Sequence, residues 1–249
     1  MNVIYILWLR QLKRYGRSKS RIIGSLGQPL LFLLALGFGF GPIYDKAGGG
    51  NYIQFLVPGI ISMSILFTAL FSGIEIIWDR QFGFLKETLV APVSRLKIMI
   101  GRTLGGATVA TIQGIIVLMI SFLVNFRIES FKLLPMVFVT MFLIALLFAA
   151  LGTTLGSVLA DMQGFQLIMN FLVMPIFFLS GALFPLQGLP KVIGTIVRFN
   201  PLSYGVDALR GTLIVGGAHI GLLTDFIVLG VVTSLLLALG SYFFSKIQV

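Results

Sequence analysis

Few side chains in these 249 residues could do chemistry: eight Asp and Glu, one histidine and no cysteine. Without cysteine there is no disulfide, thiolate metal site or cysteine nucleophile. One imidazole gives no basis for a histidine metal cluster or a Ser-His-Asp triad. The carboxylates are scattered, so no cluster of carboxylate or histidine groups at one depth suggests a membrane-embedded enzyme such as a lipid-modifying transferase. Glu75 is expected to form a structural ion pair with Arg80 or Arg102. Asp207 and Arg210 stand at i, i+3 and can pair on one helix face. Asp161 falls in a tight turn, where it caps a helix or meets a partner. His219 is read as an interfacial residue with no chemical role. The chain has no G-x-x-x-x-G-K-[ST] loop and no Gly-Lys dipeptide, so it cannot bind ATP through that motif.

The elements that must position these groups are apolar. Hydrophobic residues make up 57% of the chain and charged residues 10%, and the mean hydropathy is +1.04. A soluble domain carries about 25% charge and could not bury this excess of apolar side chain at this size. A soluble enzyme, a disordered protein and a nucleic-acid-binding domain are excluded. The reading is an all-α integral membrane protein with one transmembrane domain over 1–249. Six apolar runs are long enough to cross a bilayer: 22–43, 53–78, 98–126, 133–159, 167–186 and 222–244. Long continuous runs favour helices over barrel strands. The 29 glycines, plentiful within the runs, suggest closely packed helices. The first run is too long for a signal peptide and no small-x-small site follows it, so it is read as an uncleaved helix. No internal repeat is visible, which argues against an inverted-repeat carrier.

The net charge of +10 is read first as topology. Segments 1–21, 79–97 with Arg102, 160–166 and 245–249 carry twelve Lys and Arg, and the opposite side carries six. The positive-inside rule puts both termini in the cytoplasm of a cell (inner or plasma) membrane protein.

On a helical wheel, Met1, Ile4, Tyr5, Trp8, Leu12 and Tyr15 share one face, and Arg10, Lys13, Arg14 and Arg17 the other. This predicts an amphipathic helix lying in the membrane interface over 1–21. It serves either as a docking surface under the membrane or as an anchor on anionic lipid. In 79–97, Phe82, Leu85 and Leu89 follow i, i+3, i+7 spacing. Pro92 ends the short helix and Ser94 is expected to cap the next one. The segment either transmits force from a soluble partner or is an ordinary charged loop. Residues 188–215 are too short and broken for two spans and too apolar for an exposed loop. A re-entrant helical hairpin on the external side fits both facts. With Phe184 it forms an outer gate, or else a structural plug held by Asp207 and Arg210.

Four stretches resemble one family in order. They are Asp79-Arg80…Gly83…Leu85…Glu87-Thr88-Leu89…Pro92-Val93-Ser94-Arg95, Tyr52 to Gly59, Phe178 to Pro185, and Asn200-Pro201-Leu202-Ser203-Tyr204-Gly205-Val206-Asp207-Ala208-Leu209-Arg210. Together they are similar to permeases of the ABC-2 type, the membrane subunits of one class of ATP-binding-cassette exporters. Lys86-Glu87-Thr88-Leu89 departs from the Leu-Glu-x-Leu of many members but keeps Glu87. The resemblance implies that 80–95 form a coupling helix seated in an ATPase, through Arg80, Gly83, Leu85, Glu87, Thr88, Pro92, Ser94 and Arg95. It implies that the N-terminal helix, with Trp8, Arg10, Lys13, Arg14 and Arg17, flanks that contact. It supports the hairpin, whose expected gate residues are Phe184, Pro185, Asn200, Pro201, Asp207 and Arg210. It further implies two copies of this chain with two ATPase subunits. No cofactor is expected on this chain, with ATP and Mg in the partner. The expected cargo is a drug, a lipid, or a glycolipid or polysaccharide. The alternative is an ATP-independent channel or carrier for small amphipathic molecules.

Overall fold

The computed structural model describes residues 3–48, 50–84, 93–129, 131–186 and 190–246. Helix α1 covers Val3–Arg17, α2 Lys19–Lys46, α3 Tyr52–Phe71 and α4 Ile74–Gln81; α5 covers Arg95–Ser121, α6 Leu134–Val158 and α7 Met162–Phe178; α8 covers Lys191–Phe199, α9 Pro201–Leu213 and α10 Leu222–Ser245. Among the described residues the structure is helical, with no strand.

Among the described residues, five helical stretches are long and apolar enough to span a bilayer: α2, α3 with α4, α5, α6 and α10. The run expected as a fifth span over 167–186 instead holds the 17-residue α7. This helix starts earlier, at Met162, and stops at Phe178. The residues that follow bend, and Gly181 takes φ +75°, a left-handed conformation that glycine adopts without steric cost.

Helix α3 breaks at Ser72-Gly73 and restarts as α4. The break sits where its backbone meets α6. A Cβ on Gly73 would lie 2.0 Å from the Gly152 carbonyl oxygen, and one on Gly156 would lie 2.3 Å from that of Gly73. Only hydrogen fits at these positions, so Gly152-x-x-x-Gly156 brings two backbones into contact in the manner of packed membrane helices.

The helices share two ends. At one, Arg80 donates to the Ser157 and Leu159 carbonyls, Trp78 reaches Met162 and Arg95 donates to the Ser245 carbonyl. At the other, Tyr52 donates to the Leu183 carbonyl and the Glu129 carboxylate accepts from the Val215 N–H. The main apolar core lies between them, built by α3, α5, α6, α7 and α9 with Leu33 and Leu229. A smaller core of Leu7, Ile76, Ile98, Met99 and Phe244 closes the first, basic end.

Helix α1 packs along α5 in parallel register. Gly101 and Gly105 leave room for Ile4 and Gln11, the Trp8 indole N–H donates to the Thr108 hydroxyl at 3.0 Å, and the Tyr15 hydroxyl bonds to the Gln113 side chain. The packed face therefore holds Leu7 and Tyr15, while Tyr5 from the expected apolar face is exposed. Gln11 contributes to the contact, which rotates the packed face away from the purely apolar one.

Candidate functional site

The basic end holds a buried ion-pair network. Glu75 and Asp79 are one turn apart on α4, so both point to the same side. Glu75 is 2% exposed. Its carboxylate accepts from Arg21 at 2.7 Å and faces Arg14 at 3.6 Å. Asp79 accepts from Arg102 at 2.6 Å and faces Arg10 at 3.4 Å. The Arg10 guanidinium also lies 3.8 Å from the Phe84 ring centre, and that of Arg14 5.3 Å from the Trp78 ring. Two carboxylates thus bind four arginines from α1, α2 and α5. Such pairs are costly to desolvate, and removing one partner is costlier still.

This corrects the expected pairing of Glu75 with Arg80 or Arg102. Arg80 is five residues beyond Glu75 and projects to a different side of α4. There it donates to the Ser157 and Leu159 carbonyls at 2.9 and 3.2 Å, satisfying acceptors that the end of α6 leaves open. Arg102 lies level with Asp79 instead. Burial pushes the Tyr15 phenol above its ordinary pKa, with the Arg21 charge acting in the opposite direction.

The coupling group expected over 79–97 is only partly within the described residues. Leu85, Glu87, Thr88 and Pro92 lie outside them. Arg80 is anchored on α6 as above. Gly83 follows α4 with φ +78°, a turn conformation in which a side chain would be strained. Phe82 beside it is 81% exposed. Ser94 holds the N-cap position of α5, but its hydroxyl makes no capping bond. Its carbonyl accepts from the Lys97 N–H instead. Of the interfacial residues, Trp8 reaches α5, Arg10 and Arg14 reach α4, and Lys13 and Arg17 stay exposed.

The opposite end gathers the expected gate residues around α9. Asn200 separates α8 from α9. Its side-chain oxygen accepts from the Leu202 N–H at 3.0 Å, and its amide nitrogen donates to the Ile176 carbonyl at 2.6 Å. Pro201, with no N–H to leave unsatisfied, starts α9. Asp207 accepts from the backbone N–H groups of His219 and Ile220 at 3.0 and 2.8 Å. Arg210 donates to the carbonyls of Gly181 and Phe55 at 3.0 and 3.3 Å. Its guanidinium stacks 4.1 Å from the Phe55 ring centre. The expected Asp207–Arg210 ion pair is therefore absent among the described residues. Asp207 holds the loop into α10, and Arg210 ties α9 to α3 and to the bend after α7. Phe184 is half-exposed, and Pro185 lines a cavity of about 170 Å³ with Phe55, Ser203, Asp207 and Arg210. Among the described residues, no three His, Cys, Asp or Glu side chains converge to hold a metal. His219 binds Asp207 through its backbone N–H, and Asp161 caps α7 by accepting from the Gly164 N–H at 2.6 Å.

Sequence reasoning missed the partners of Asp79. The signal was available in the i, i+4 spacing of Glu75 and Asp79 within an otherwise apolar stretch.

Residues 2–214 match the family described as ABC-2 type transporter. The chain belongs to that family. It is 29% identical to nodulation protein J of Rhizobium leguminosarum bv. trifolii, over 90% of this chain and 86% of that protein. It is 32% identical to the putative transport permease ycf38 of Pyropia yezoensis, over 83% and 72%. It is 27% identical to the inner membrane transport permease YadH of Escherichia coli, over 82% and 80%. This ABC-2 chain is thus a multi-span membrane permease, and its family generally works with an ABC ATPase subunit.

Proposed function

We propose that this chain is the membrane subunit of an ATP-driven exporter, with two copies forming the pathway and a separate ATPase, also in two copies, supplying the energy. Family membership over residues 2–214 carries this reading. Helices α2, α3 with α4, α5, α6, α7 and α10 serve as six spans, and the basic end faces the cytoplasm with both termini. Helices α8 and α9 form a re-entrant hairpin on the external side.

Residues 79–97 receive the ATPase movement. The geometry around α4 supports that role. Asp79 and Glu75 bind α1, α2 and α5, and Arg80 binds the end of α6. A push on 79–97 would therefore act on four helices at once, not on one loop. Phe184, Pro185, Asn200, Pro201, Asp207 and Arg210 form the outer gate past which cargo leaves. The cargo is a drug, a lipid, or a glycolipid or polysaccharide.

The test is co-purification with an ATPase encoded beside this chain, for the unaltered protein and for Glu87→Ala and Arg95→Ala. The complex should hydrolyse ATP faster than the ATPase alone, and both variants should lose that stimulation. Unchanged stimulation and complex formation in both, or uphill transport in liposomes holding this chain alone, would refute the reading.

A further inference from the structure

We propose that the groove between α1 and the first turn of α2 is a binding site for the phosphate headgroup of an anionic phospholipid in the adjoining leaflet. The groove is open and holds about 990 Å³. Five cations line it: Arg10, Lys13, Arg14, Arg17 and Lys19. Arg10 and Arg14 are held by Asp79 and Glu75. Among the described residues, Lys13, Arg17 and Lys19 have no carboxylate within ion-pair distance. Among the described residues, no acidic one lines the groove, and the Ser18 and Ser20 hydroxyls add two donors suited to phosphate oxygens.

The rest of the surroundings select a lipid over other anions. Ile6 and Leu9 line the same groove, and Ile6 is exposed. Lys19 begins α2, a candidate span, so the cations stand where a helix enters the bilayer. Along α2 only Pro29, Leu33 and Gly37 are buried. Ile23, one turn above Lys19, is 70% exposed, and Leu31 above it is also exposed. A phosphate among Lys13, Arg17 and Lys19 leaves its acyl chains along that apolar strip. Free phosphate would satisfy the cations and leave the strip bare. An acidic protein surface would do the same, since the strip runs into the depth of the membrane. Clustered cations beside a span attract anionic headgroups, each strengthening binding by roughly fivefold near the surface.

The test is native mass spectrometry of the full chain in neutral detergent, titrated with dioleoyl phosphatidylglycerol or dioleoyl phosphatidylcholine. The unaltered chain should hold the glycerol lipid more tightly. Lys13→Gln/Arg17→Gln/Lys19→Gln should weaken that lipid by about 100-fold, at roughly fivefold per cation, and leave the choline lipid unchanged. Lys46→Gln/Lys132→Gln/Lys191→Gln removes the same charge from exposed positions elsewhere and should change neither. Equal affinity for both lipids, or equal losses in the two triple variants, overturns the site. Displacement of the lipid by millimolar inorganic phosphate overturns the lipid as its occupant. Loss of ATPase binding in the groove variant, with the lipid preference intact, assigns the groove to a protein and overturns the proposal.

Discussion

Asp79→Asn should be one of the most damaging single polar substitutions at the basic end. The Arg102 side chain is 3% exposed, and among the described residues Asp79 is its only carboxylate partner, at 2.6 Å. Its Nε and Nη1 already lack hydrogen-bond partners among the described residues. The neutral amide keeps the size of the side chain but leaves a buried guanidinium uncompensated, and breaking such a pair costs about 3–5 kcal/mol. At about 2–4 °C per kcal/mol for a chain of this length, the melting temperature should fall by roughly 6–20 °C. The assay is thermal unfolding of the detergent-solubilised protein followed by intrinsic fluorescence. Arg102→Met alone should also destabilise, because among the described residues it leaves the Asp79 carboxylate with only the more distant Arg10. The double variant removes both charges, so it should be far less damaged than the two single losses added together, with a coupling of 0.5–3 kcal/mol typical of contacting residues. A drop below about 2 °C in Asp79→Asn, or strict additivity in the double variant, would refute the argument that this pair is an obligate buried unit.

Two further substitutions probe the packing that frames this network and the hairpin. Gly152→Leu should lower the melting temperature strongly, since even a Cβ there would lie 2.4 Å from the Leu70 carbonyl oxygen and overpacking typically costs 1–3 kcal/mol; the same change at Gly230, where a Cβ meets nothing within 4 Å, should have little effect. Asn200→Ala loses both the cap on Leu202 and the bond to the Ile176 carbonyl, a loss of about 1–2 kcal/mol. It should speed hydrogen exchange in α9 without altering α5, and unchanged exchange in α9 would show that Asn200 does not hold the hairpin.

The apolar runs made much of the helical framework legible. The expected 133–159 run and the observed Leu134–Val158 nearly coincide, because a long run bounded by polar turns leaves little choice of ends. The 167–186 run misleads for a physical reason. Hydropathy records transfer to lipid, whereas α7 ends where backbone geometry changes, and residues 179–186 are apolar without being helical. The Asn200-Pro201 break was legible because both residues act locally, one as a cap and one as a first-turn residue. Side-chain pairing was not. Asp207 and Arg210 have spacing that permits a pair, but the returning loop at His219 and Ile220 brings two N–H donors to Asp207. The Gly181 and Phe55 carbonyls meanwhile capture Arg210. These partners lie between 12 and 155 residues away along the chain, so no helical spacing rule could identify them.

The same reasoning explains why α1 cannot be treated as a separate surface anchor. An interfacial helix held only by lipid would keep its aromatic face toward the bilayer and its arginines toward water. Here Trp8 and Tyr15 are bonded to α5, and Arg10 and Arg14 turn inward to α4. The arginines divide into two groups along one helix: those within reach of Asp79 and Glu75, and Arg17, which with Lys13 stays exposed. On the proposed reading, lipid contact and mechanical linkage therefore use different residues of α1. Neutralising Lys13 and Arg17 should alter what the helix binds from outside, whereas removing Glu75 or Asp79 should release the helix from the bundle. Only the second change should alter how a force on 79–97 reaches α1.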